Sequence, residues 1–345
     1  FRSLYGAALH YPAALGFAFD LQPGAVLPFG QFLIAVPILL MTAYASSRRL
    51  ATLPAAFLVL LVALIVLAPM RPGGAPGDLS FGLNYTRYGW AGLTMLPLFY
   101  LDPRRADGVG TILDAVVLAA LVLYLLYLKI TFGLVALAFV AANALTSGYK
   151  ARLGALALAG VVAFALAVQF SSTYNAAYLN DILAVMARTP VARHDEGRYV
   201  EVLISHALLF GLCLAACVAL YRIKSLRLID AAFVVMWILA SLAVLEYSGG
   251  VRRGLPPLAA VLLVLGELAR RAGEASGPEH RGERSASLIA TVVFSLFLVA
   301  YTPTIINSTA SLYLYGSRLL DLQARGASNL AGLYVPVSGR SSRHD

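Results

Sequence analysis

The sequence predicts an all-α fold: a polytopic transmembrane helix bundle of about ten helices, with short extra-membrane interfacial helices. Three observations carry that prediction. Hydrophobic residues make up 60% of the chain and charged residues 12%, against about 25% charged in soluble domains. Apolar runs approaching the length that crosses roughly 30 Å of hydrocarbon recur along all 345 residues. The basic residues gather in the short connections between those runs. With a mean hydropathy of +0.80, no soluble enzyme or binding domain is expected.

The apolar runs place helices at Leu27–Tyr44, Leu53–Met70, Tyr88–Leu101, Val109–Leu128 and Ile130–Leu145. They continue at Leu153–Phe170, Val202–Tyr221, Leu228–Tyr247, Leu255–Leu268 and Ser287–Tyr301. The third run is short, and the fourth and fifth nearly abut at Lys129. Residues 1–301 thus form the transmembrane domain, with loops 1–26, 71–87 and 171–201 on one side. Residues 302–345 read as an amphipathic tail that ends without core-forming content. Phe1 opens an irregular stretch with no signal peptide, so either a helix precedes it or the numbering starts inside the mature protein.

Alternate connections sort by charge. One set holds Arg48-Arg49, Arg104-Arg105, Lys150 with Arg152, Arg222-Lys224-Arg227, and Arg270-Arg271 with Arg281 and Arg284. Short basic loops face the cytoplasm. The net charge of +9 therefore reads as an orientation signal, not a nucleic-acid surface. Only three of the 26 basic residues are lysines (Lys129, Lys150 and Lys224), a bias of GC-rich bacterial genomes, so the expected location is a bacterial inner membrane. Cys213 and Cys217, four residues apart in an apolar run, read as small packing residues on one helix face.

The longer, more aromatic connections then lie outside, where chemistry carried on loops is expected. Asp20 precedes the first helix, either capping it or lining a site at the membrane surface. Asn84, Tyr85 and Arg87 lie in an aromatic segment ending at Trp90. An interfacial belt explains its rings better than it explains Asn84 or Arg87. Lys129 either snorkels to the interface or pairs with an anionic ligand. Arg252 and Arg253 stand in a glycine-flanked turn, against the orientation rule, and suit a phosphate clamp or an ion pair with Glu246. The 171–201 segment, with a short amphipathic helix at Leu179–Ala187, carries Asp181, His194, Asp195 and Glu196. These residues either supply a general base or form a solvated face. No nucleotide loop, dinucleotide fingerprint or zinc-protease motif occurs, and no cofactor is implied. Participation of a divalent cation stays open.

The stretch of Gly16, Asp20, Pro23, Gly24 and Leu27 leading into a helix resembles the first outer loop of C-type membrane glycosyltransferases. The Asn84–Trp90 and Lys129-Ile130-Thr131-Phe132 segments resemble proteins near these enzymes and the O-antigen ligases. The resemblance covers about half the chain. It implies transfer of a sugar or glycan from a polyprenyl-linked donor at the outer face, with membrane lipids and that donor as partners. Arg252, Arg253, Arg87 and Lys129 would hold phosphate, and Asp20 or an acid of the 171–201 loop would act as base. The chain departs from the family pattern in that the best-known acidic motif falls before Phe1. The alternatives are a transporter or flippase of lipid-linked or anionic substrates, and a non-catalytic subunit of a membrane complex.

Overall fold

The structure, a computed structural model, describes residues 7–21, 23–68, 84–104, 107–188, 196–222, 226–247, 256–275 and 281–324. Among them there are twelve α-helices, one 3-10 helix and no strand. The helices are α1 (Ala7–Ala18), α2 (Pro23–Arg49), α3 (Thr52–Leu67), α4 (Asn84–Met95), α5 (Gly108–Leu128) and α6 (Ile130–Ala144). The remaining six are α7 (Gly148–Ser172), α8 (Tyr174–Arg188), α9 (Glu196–Arg222), α10 (Leu228–Tyr247), α11 (Pro256–Ala275) and α12 (Arg281–Ala324). Every apolar run of the sequence coincides with one of them. Among the described residues four segments are long and apolar enough to cross a membrane: Phe29–Arg49, Gly108–Leu128, Gly148–Ser172 and Ser287–Ser317. The chain is therefore an all-helical membrane protein, with four shorter apolar helices beside these spans.

Local chemistry accounts for the boundaries. Asp107 caps α5, accepting from the Gly110 N–H at 2.8 Å. At the other end of α5 a single extended residue, Lys129, separates it from α6. The Lys129 N–H closes the last turn of α5 onto Leu125 O at 3.0 Å, and its carbonyl accepts from Phe132 N at 3.0 Å. Thr173, at φ 52°, turns the chain between α7 and α8. The short helix expected at Leu179–Ala187 is thus longer, starting at Tyr174. α12 runs unbroken through residues 301 and 302 with Pro303 inside it. At 1.5 Å per residue it measures about 66 Å, twice the hydrocarbon thickness.

The short third run is the centre of the bundle. α4 continues into the 3-10 helix Leu96–Tyr100, giving a rise of about 28 Å in all. Every residue from Thr86 to Leu101 is buried, so this element packs on all faces against protein. Gly89 makes that possible: a Cβ there would lie 2.2 Å from Phe132 Cε2. Cys213 and Cys217 are both buried and free on the inner face of α9.

Basic segments converge at one end of the bundle. The Arg104 N–H donates to Arg48 O at 2.9 Å, and Arg271 donates to Arg49 O and Asp102 O, both at 2.8 Å. Lys150 lies 3.9 Å from Asp230. Here the sequence reading needs a correction. It gave these arginines an orienting role only, yet they build a buried ionic network with acids from inside the apolar runs. Arg49 Nη2 lies 2.9 Å from Asp114 Oδ2 with both side chains fully buried. The Tyr149 hydroxyl donates to the same carboxylate at 2.6 Å, and the guanidinium stacks 4.5 Å from the Phe99 ring centre. Glu267 likewise takes Arg270 at 2.7 Å, Arg271 at 2.9 Å and Arg104 at 3.5 Å. An acid a few residues inside a span, near an arginine pair in a neighbouring loop, is the sequence signal that reveals such a network.

Candidate functional site

The opposite end of the bundle holds a different arrangement. An open groove of about 910 Å³ runs between α1, α2, α5 and α7, with Tyr174 of α8 at its rim. That volume lies within the usual range for small-molecule sites. Its walls are apolar side chains such as Leu15, Ile34, Pro37, Leu123 and Phe164, with Tyr11, Tyr124 and Tyr127 the main polar contributors. Leu15 and Phe164 are each nearly half exposed, so the groove is open along its side.

Lys129 follows the groove-lining turn that ends at Tyr127. Its side chain turns inward and is buried. The ammonium lies 5.3 Å from the Tyr85 ring centre and 5.7 Å from that of Phe132, joining α4 and α6 around the cation. Arg87, one turn into α4, is 1% exposed and lies 5.9 Å from the Tyr88 ring centre. Tyr88 and the groove residue Tyr124 are within electrostatic reach of each other. Two buried cations thus lie beside aromatic rings, one of them two residues beyond the groove residue Tyr127. Tyr85 and Arg87 are about 200° apart around α4, so the cations meet different faces of that helix.

α8 closes the same end. The Tyr127 hydroxyl donates to Asn175 Oδ1 at 2.6 Å, and Asn175 Nδ2 donates to Ala165 O at 2.6 Å. Tyr178 OH donates to Leu126 O at 3.4 Å. Tyr127→Phe removes the first of these bonds and should weaken α8 docking by about 1 kcal/mol. The readout is faster proteolysis within α8, and an unchanged cleavage rate would show that the bond contributes nothing.

The other residues singled out by the sequence fall as follows. Asp20 is exposed, at φ 54° in the turn that ends α1, where its N–H donates to Phe17 O at 3.0 Å. That left-handed position suits Asp, and its side chain makes no hydrogen bond or ion pair among the described residues. It ends α1 rather than capping the next helix. Asp181 is half-buried on α8, one turn beyond Tyr178. Asn84 and Glu196 are the first residues of α4 and α9, and their side chains lie outside the description. His194, Asp195, Arg252 and Arg253 lie outside the described residues. The structure therefore joins Tyr85 with Lys129, and sets Arg87 beside Tyr88. It leaves Asp20 apart from both. Tyr88, Tyr124 and Tyr127 complete the arrangement. Sequence reading passed over the latter two because a tyrosine inside an apolar run looks like core. Among the described residues no three metal-ligating side chains cluster. Comparison with protein-family models, with curated proteins and with solved structures found no match.

Proposed function

We propose that the chain is a membrane-embedded transferase that moves a sugar or glycan from a polyprenyl-phosphate donor to a cell-envelope acceptor. The observation that supports this reading is the apolar groove of about 910 Å³, whose lining residue Tyr127 stands two residues before buried Lys129. An isoprenoid tail matches such a groove, and a lipid phosphate matches a buried cation. In this reading the chain crosses a bacterial inner membrane about ten times, with the Arg48–Arg49 end cytoplasmic and the Lys129 end outside.

In the reaction the acceptor hydroxyl attacks the anomeric carbon, the bond from that carbon to the phosphate oxygen breaks, and the lipid phosphate leaves as an anion. The hydroxyl proton passes to a carboxylate or imidazole of the 171–201 segment, where Asp181, His194, Asp195 and Glu196 are the available groups. Asp20, exposed at the end of α1, is the other candidate for the base. Lys129 and Arg87, joined by Arg252 and Arg253, stabilise the leaving anion.

Lys129→Met should slow transfer roughly 10²–10³-fold, the usual cost of losing one group that stabilises developing charge. Arg252→Ala with Arg253→Ala should abolish it. The assay is product formation from a polyprenyl-phosphate sugar in proteoliposomes, with folding checked by unfolding in detergent. Wild-type rates in both variants would end this reading, and movement of lipid-linked substrate without covalent product would replace it with a flippase.

A further inference from the structure

The first two turns of α4 carry two buried polar groups that no described residue satisfies. Thr86 is 5% exposed and Trp90 is fully buried. Neither Thr86 Oγ1 nor Trp90 Nε1 has a hydrogen-bond partner among the described residues. Leaving a buried donor unpaired costs about 1–3 kcal/mol, so two on adjacent turns of one helix call for a ligand. They lie four residues apart and share a face of α4. Helical side chains lean toward the helix N-terminus, so Trp90 covers the turn that holds Thr86, and Thr86 leans toward the N-terminal end of the helix. α4 is twelve residues long, and the N–H groups of a helix's first turn have no intrahelical partner and suit an anion. Arg87 stands in the same turn, and the Lys129 ammonium lies 5.3 Å from the ring centre of Tyr85, also in that turn.

Trp237 Nε1 is also buried without a partner, but it stacks among Phe139 and Phe233 in the middle of α10, away from the ends of its own helix.

From these observations we infer that the N-terminus of α4 is a phosphate-monoester site. The Thr86 hydroxyl and Trp90 indole N–H donate to phosphate oxygens, and Arg87 and Lys129 supply the charge. The inference rests on the transferase reading for its natural ligand, the lipid phosphate released when the sugar moves. The binding site itself can be tested without the reaction.

Trp90 and Trp237 are the two tryptophans of the chain, so Trp237→Phe leaves Trp90 as the single fluorescent reporter. This variant, in detergent micelles, is titrated with farnesyl phosphate, with farnesol and with inorganic phosphate. Farnesyl phosphate is expected to change Trp90 emission, and Thr86→Val to raise its Kd about 10-fold, since the lost bond goes to a charged acceptor. Farnesol, which fills the groove without an anion, should give no response that depends on Thr86. A Thr86-dependent response to inorganic phosphate alone would support the same site with free phosphate as its source. Valine keeps the shape of threonine and removes an unpaired hydroxyl, so the variant should fold as well as the parent. Equal responses to farnesol and farnesyl phosphate, or a Kd indifferent to Thr86→Val, would overturn the site and leave internal water as the partner of both groups. Binding that persists in a protein with no transfer activity would sink the reaction while supporting the site. Transfer with a silent Trp90 would do the reverse.

Discussion

Asp114→Ala should cost about 3–5 kcal/mol of stability, the largest single-residue effect expected in this protein, because it strands the buried charge of Arg49. Both side chains are fully buried, so no water can take the place of the lost carboxylate. Arg49 would keep its bonds to Leu101 O at 3.2 Å and to the Tyr149 hydroxyl at 3.2 Å and its stacking on Phe99, but no carboxylate would face its guanidinium to balance the charge. Tyr149 loses its acceptor at the same time. Replacing both partners with apolar residues of similar size, Arg49→Met with Asp114→Leu, should recover most of the loss. Desolvating two charges offsets much of what their attraction returns. Unfolding midpoints in detergent test the pair. If the double variant is no more stable than Asp114→Ala alone, the ionic network contributes more than this argument allows.

Gly154→Ala should be the most damaging change of a single methyl group. A Cβ at Gly154 would lie 2.4 Å from Ala144 N, 2.8 Å from Val140 O and 2.9 Å from Ala144 Cα. All three are backbone atoms of α6 and its C-terminal turn, so no side chain can rotate away and the two helices must separate. Close backbone approach at small residues is how helices pack where the surrounding lipid offers no hydrophobic drive. Overpacking of this kind costs about 1–3 kcal/mol. Gly211 and Gly316 are also helical, and a Cβ at either meets nothing within 4 Å. Alanine there should stabilise by about 0.5–1 kcal/mol through better helix propensity. Equal midpoints for the Gly154 and Gly211 variants would show that α6 and α7 do not touch as described.

The two ends of the bundle differ in what they are built to do. At the Arg48–Arg49 end, acids from α5, α10 and α11 meet bases from α2, α7 and α11 and from the connections at Arg104 and Arg227, and these ion pairs join the helices there. At the Lys129 end, Lys129 lies beside the Tyr85 and Phe132 rings and Arg87 beside the Tyr88 ring, an arrangement in which aromatic faces stabilise a cation.

Much of this was legible in the residues themselves. Apolar runs located every long helix, because twenty such residues have few alternatives in water or lipid. Lys129 stood out because a lone lysine between two apolar runs must either snorkel to the interface or pair with a charge. Other features were hidden. Asp114 drew no reading, since its partner Arg49 is 65 residues away, and Glu267 drew none because, beyond Arg270 and Arg271 on its own helix, it takes Arg104 163 residues away. Trp90 read as interfacial and Thr86 drew no reading, since a sequence does not show whether a polar group finds a partner.

What the sequence by itself determined is the class of protein: helical, embedded in a membrane, basic at one set of turns and aromatic at the other. Those properties follow from transfer free energies summed along the chain, which need no knowledge of neighbours. Only the tertiary structure decided that the short third run is an all-round buried helix, that the basic turns close a buried network, and that two orphaned donors meet a helix N-terminus. Each depends on which helix lies beside which, and on whether a buried polar atom is satisfied by a residue far along the chain.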